Sequence, residues 1–229
     1  REDIKNMVQL LALNNSRAPY DDVRVRMAVN LAVDRQGLLD LTNEGYGTPL
    51  SSGMSPAMGV YHNADLDGRF DQDLETARTL LGEAGYADGF DTTITVPSNY
   101  GYHVNTAVVL ADQLKAVGIR ATIVQVDWGT WLEVVYKGRD YDTTVIALTS
   151  EFTPKDVMSR YVSDAGGNFL NYASDEYDAL FAQIQPLTDP QARIDGYKRL
   201  QTILADDAAS VFLQDPVTMV AVSKQLGGY

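Results

Sequence analysis

Apolar and polar positions along this chain follow two rhythms, and their alternation predicts an α/β fold. Residues 7–13 form an apolar run interrupted only by Gln9, long enough for one strand and closed by the turn formers Asn14, Asn15 and Ser16. The rhythm then changes. Over 19–35, Val25, Ala28, Val29, Ala32 and Val33 recur at the three-and-four spacing of an amphipathic helix that Asp21 or Asp22 can cap. Met27 and Leu31 widen its apolar face. The remaining stripe is Asp22, Arg26, Asn30 and Asp34, each four residues on, and the reading is a buried helix with one wet seam.

An irregular connection with Met54, Met58 and Tyr61 follows, and then a helix over 74–84 with Leu74, Ala77, Leu81 and Ala84 on one face and Gly85 as its stop. The aspartates of 65–73 imitate a calcium loop. Phe70 and Thr76 stand where such a loop needs its glycine and its bidentate glutamate, so these acids are read as opposing a helix dipole. A strand over 92–96, a helix over 103–117 stopped by Gly118 and a strand over 119–126 form a βαβ unit with parallel strands. A short helix over 130–136 leads to a central strand over 143–148, rich in β-branched residues and free of charge. Helices over 154–162, 175–185 and 189–206 follow, then strands over 211–213 and 217–222 split by Pro216. There is no repeat or low-complexity tract, so residues 1–229 read as one α/β domain.

Composition narrows the function. With 229 residues and 45% hydrophobic content the chain can bury a sizeable core without staples. A net charge of −13 repels phosphate backbones, so nucleic acid is not an expected partner. The absence of cysteine removes disulfides, thiolate metal sites and cysteine nucleophiles. The chain opens on Arg1 with no signal sequence and no long apolar run, and a piece of something longer is expected. Enzyme readings find little material: no Gly-x-Ser-x-Gly elbow, phosphate-cradling loop or dinucleotide fingerprint occurs, and His62 and His103 are the only imidazoles. No cofactor or metal is expected.

Binding has better material. In a βαβ sheet, ligands sit at the loops that follow the carboxyl ends of the strands. Those loops hold Asn99, Tyr100 and Tyr102 after the first strand, Trp128 and Trp131 after the second, and Glu151 after the strand ending at Leu148. Rings around one acid suit a solute with an apolar body and a cationic end. The structural alternatives are core packing for each Trp and a solvated loop acid for Glu151.

Several motifs also carry a resemblance: Asn14 closing its run, Pro19, Asp21, Val23-Arg24-Val25-Arg26 and Ala28 through Asp34-Arg35; Gly45-x-Gly47-x-Pro49; Ala77, Leu80-Leu81 and Ala84-Gly85-Tyr86; and Asp189, Arg193, Tyr197 and Gln201 at fourfold spacing. Together they resemble the family 5 extracellular solute-binding proteins, the oligopeptide, dipeptide and nickel receptors of ABC importers. The resemblance implies a periplasmic-binding-protein-like lobe with a mixed, largely parallel central sheet flanked by helices, and specifically the C-terminal lobe, the N-terminal lobe being absent from the chain. It further implies a periplasmic or extracellular setting, in some members lipid-anchored, permease subunits as partners and a short peptide as the leading ligand. An oligosaccharide or chelated nickel is the alternative within the class, and a small hydrolase the alternative outside it. In peptide-binding members an Asp in Trp-x-x-Asp-Tyr-x-x-Pro pairs with the peptide's ammonium group. Here Leu148 replaces that Trp and Glu151 takes the place of the acid, with one residue fewer before Pro154. Trp128 matches the family's aromatic after the preceding strand.

Overall fold

A computed structural model describes residues 2–3, 7–148 and 153–219 of the protein. In chain order the elements are β1 (Glu2–Asp3), β2 (Val8–Leu13), α1 (Val23–Ala32), α2 (Arg35–Asn43), β3 (Gly47–Pro49), α3 (Leu74–Glu83), β4 (Phe90–Pro97), α4 (Gly101–Lys115) and β5 (Ile119–Val126). Then come α5 (Trp128–Thr130), which continues as a π-helical segment Trp131–Lys137, β6 (Thr143–Leu148), α6 (Pro154–Ser159), α7 (Asp175–Ile184), α8 (Pro190–Asp206), β7 (Val211–Pro216) and β8 (Thr218–Met219). Short polar side chains start most helices by accepting from a first-turn N–H: Asp22 for α1, Asp34 for α2, Asp73 for α3, Thr153 for α6, Ser174 for α7 and Asp189 for α8. The α2 helix is missing from the sequence reading, where Asp34 closes the preceding helix instead of capping a new one.

Six strands form one mixed sheet in the order β3-β7-β2-β6-β4-β5, while β1 and β8 pair separately. The expectation of a largely parallel sheet needs correction. Only β4–β5 and β4–β6 are parallel neighbours; β2–β6, β2–β7 and β3–β7 are antiparallel. Parallel pairing appears on the side of the sheet built by helical crossovers: α4 leads from β4 to β5, and the 128–137 segment leads from β5 past β4 to β6. The first strand of the sheet, β2, runs the other way between β6 and β7. Strands β4, β5, β6 and β7 therefore still point in one direction, and their carboxyl ends share one edge with the amino end of β2.

That central position explains the apolar run. All six residues of β2 are buried, with Leu11 and Leu13 facing α1, α3 and α4 and Val8, Leu10 and Ala12 facing α6, α7 and α8. A bulge interrupts β7 between its pairings Leu10↔Phe212 and Gln9↔Gln214. The extra residue, Leu213, shifts the alternation, so Gln214 joins Gln9 beside α4 while Asp215 turns to the opposite face.

The expected wet seam is dry at its centre, while Asp22 and Asp34 at its ends stay partly exposed. Arg26 and Asn30 are buried and bind backbone carbonyls: Arg26 donates to Asp207 O at 2.8 Å and Tyr20 O at 2.9 Å, and Asn30 to Ser210 O at 3.3 Å. The fourfold spacing gave the right stripe, but the α8–β7 turn covers it. Arg35 continues the stripe, donating to Leu50 O, Phe212 O, Asn30 O and Phe70 O at 2.7–3.1 Å. Burial lowers its pKa, with the charge of Asp71 working the other way. Replacing Arg35 by Met strands several buried carbonyls, and the expected loss is at least about 3 kcal/mol in urea denaturation. A loss below about 1 kcal/mol would show that water replaces the guanidinium at little cost.

Candidate functional site

The carboxyl ends of β6, β4 and β5 are neighbours in the sheet, and the loops that follow β4 and β5 line one rim. Ser98 N–H donates to Val126 O at 2.8 Å and ties the end of β4 to that of β5. On the β5 side, Asp127 accepts from Thr130 N at 3.0 Å and from the Thr130 hydroxyl at 2.6 Å. These bonds hold its carboxyl below the usual range, the hydroxyl contributing most, and they start the helix that presents Trp128.

The two tryptophans have different jobs. Trp131 is 3% exposed, and its Nε1 donates to Thr144 Oγ1 at 3.0 Å, whose hydroxyl in turn donates to Thr95 O at 2.6 Å. Trp128, 37% exposed, lies face to face on it, with ring centres 5.1 Å apart and planes 4° from parallel. Trp131 thus offers a ligand no face of its own; it fixes the ring that does. Tyr100 meets Trp128 edge-on at 5.4 Å and Tyr102 at 6.1 Å, so three rings form a continuous surface from α4 to α5. Asn99 is exposed at the turn before Tyr100, and α4 begins without a side-chain cap, leaving its first N–H groups toward this rim. Leu148 ends β6 half-buried against the cluster that holds Trp131. Glu151 lies outside the described residues. After it, Thr153 caps α6 by accepting from Asp156 N at 3.2 Å.

Beneath the rings runs a buried polar chain that sequence reasoning missed. Gln9 Oε1 accepts from Gln214 Nε2 at 2.6 Å and Thr106 Oγ1 at 3.3 Å, and this places its Nε2 3.1 Å from His103 Nδ1. The amide donates, so Nδ1 accepts and the neutral imidazole carries its proton on Nε2. The only signal in the sequence is the lone Gln in an otherwise apolar strand. His103 packs against Tyr102, ring centres 3.9 Å apart, and burial pushes its pKa down to about 3. His62 is engaged elsewhere, with Nδ1 2.8 Å from Met54 O and Nε2 3.1 Å from Asp67.

The three rings thus stand at the strand ends of a mixed α/β lobe. A Helicobacter pylori ABC transporter-associated periplasmic binding protein solved with the peptide STSA has the same fold, with a TM-score of 0.87 at 24% identity over 95% of this chain and 43% of that one. The family model for bacterial extracellular solute-binding proteins, family 5 Middle, matches residues 1–169, and the chain belongs to that family. It is 31% identical over 221 residues to di/tripeptide-binding protein 1 of Pseudomonas aeruginosa, covering 93% of this chain and 39% of that protein. It is 26% identical over 231 residues to heme-binding protein A of Haemophilus influenzae, covering 97% of this chain and 42% of that protein. The chain therefore spans about two fifths of the length of these relatives.

The His103 environment has a pH consequence. An unfolded imidazole takes up its proton near pH 6.5, whereas the buried one stays neutral until about 3. Its contribution to stability is complete above the unfolded value and drains away as pH falls from there toward 3, by up to about 1.4 kcal/mol per unit. Urea midpoints across pH 7.5–4 should therefore fall less steeply for His103→Gln than for the parent. Parallel curves would mean that the native imidazole protonates as readily as the unfolded one.

Proposed function

We propose that the chain is the C-terminal lobe of a two-lobe receptor that captures a short peptide for an ABC importer outside the cytoplasmic membrane. The observation that carries the reading is the ring surface of Tyr100, Tyr102 and Trp128 at the adjacent ends of β4 and β5. Family membership and a relative named for di- and tripeptides support it.

In this reading the rings take the apolar body of the solute, Glu151 takes its ammonium group, and a second lobe closes over both. The paired β1 and β8 would carry both connections to that lobe as one ribbon. Binding energy from the second lobe's contacts favours the closed state, and a single lobe should bind weakly. The receptor hands its cargo to permease subunits and does no chemistry on it. A lipid anchor, where there is one, belongs to the part outside this chain. The exposed face of Trp128 also suits a sugar ring, and a relative is named for heme, so the test includes ligands that are not peptides.

With both lobes present, thermal shifts against di- to hexapeptides, oligosaccharides, heme and nickel chelates separate these readings. A peptide at a hundred times its dissociation constant should add about 2.7 kcal/mol, and the other ligands should add none. Trp128→Ala should weaken peptide binding about tenfold while leaving the unliganded midpoint nearly unchanged, because the ring is a surface shelf. Stabilisation by a sugar or a chelate alone would replace the peptide reading, and turnover of any ligand would end the receptor reading.

A further inference from the structure

The same sheet edge carries a second feature at its other end. The bulge in β7 turns Asp215 away from Gln9 and toward a cleft of about 480 Å³ whose walls include Tyr46, Thr48, Ser55, Pro56 and Ala57. The Asp215 side chain is buried, yet its hydrogen-bond partners are neutral: Met7 N–H donates to one oxygen at 3.0 Å and the Ser55 hydroxyl to the other. Two donors leave lone pairs unused on a group that, once ionised, can accept about four bonds. No cationic side chain among the described residues pairs with it.

Burial raises the Asp215 pKa, with both hydrogen bonds opposing the rise. A sequestered carboxylate without a counter-charge is costly, and a cation delivered to it gains more than the same cation would at an exposed acid. The cleft gives such a cation a place to sit. Its walls are those of an amine pocket: Tyr46, 42% exposed, and Pro56 present apolar surface, and Thr48 adds a hydroxyl.

We propose that Asp215 and this cleft form a cation-binding subsite for a primary ammonium or guanidinium group on an aliphatic stem, supplied as a basic side chain of the bound solute. The assignment rests on the peptide-receptor reading and deepens it. From β7 the rim crosses β2 and β6 to reach β4, three inter-strand steps or about 14 Å. An extended hexapeptide, about 20 Å long, spans from the aromatic shelf to the subsite.

Calorimetry on the two-lobed receptor tests it with alanine-based hexapeptides carrying either one lysine or one norleucine, scanned along the peptide. At one position lysine should bind at least about tenfold tighter than norleucine. Asp215→Asn, which keeps a carbonyl for Met7 N–H, should abolish that preference and leave the norleucine peptide unaffected. Ala57→Trp, at an exposed wall position, should also remove the preference for lysine over norleucine by filling the cleft, and it keeps the test decisive if the Asp215 variant does not fold. A preference that survives both variants, or no preference at any position, overturns the subsite and leaves the peptide receptor standing. If no peptide binds but n-butylammonium stabilises the parent and not Asp215→Asn, the subsite stands and the peptide reading falls. Failure of both probes overturns both.

Discussion

Carbonyl groups that must be buried without water at hand are the constraint on which this lobe is built. The stripe Arg26, Asn30, Arg35 answers it from one side of α1 and the start of α2, reaching the carbonyls of Asp207, Ser210, Phe212, Leu50 and Phe70. Those acceptors come from segments far apart in the chain. Three polar side chains thereby hold the α8–β7 turn, the strand β7 and the loop before Ser51 in fixed relation. Because Phe212 O is one of the acceptors, the bulge that begins at the next residue is held too. The orientation of Gln214 and Asp215 depends on it.

The sheet contributes the second constraint. By placing a reversed β2 between β6 and β7, the fold keeps four carboxyl ends on one edge while giving its central strand two antiparallel partners. The neighbouring ends of β6, β4 and β5 bring the rings together, and the end of β7 sets an acid apart from them. The polar chain Thr42–Gln214–Gln9–His103 runs between these two regions on the α2–α4 side, each member engaged by the next. A hydrogen-bonded core of this kind resists small displacements of α4, which carries Tyr102.

Much of this was legible from residue pattern. The βαβ unit, the central strand, the capping aspartate of α1, the acids before α3 and the stop at Gly85 all follow from short-range rules that tertiary context did not override. What was illegible involves partners distant in sequence. Arg26 and Asn30 look like a solvated stripe until the α8–β7 turn is folded onto them. Trp128 and Trp131 are the same residue type three positions apart, and only the location of Thr144 on β6 decides which indole is buried. Asp215 is one acid among 31 acidic residues, and its environment arises from a one-residue irregularity in β7 that no local signal announces. The family resemblance supplied the mixed lobe but overstated its parallel character, because strand direction and strand adjacency are separate properties.

The paired indoles give the molecule an optical property as well as a surface. They are the only two tryptophans in the chain, and their planes are nearly parallel. Electronic transitions of two chromophores so arranged couple, and the sign and strength of the circular dichroism that results depend on the angle between them. One partner is pinned to β6, so a rotation of a few degrees in the outer ring against it is written directly into the spectrum. The lobe carries its own goniometer at the place where a guest would lean.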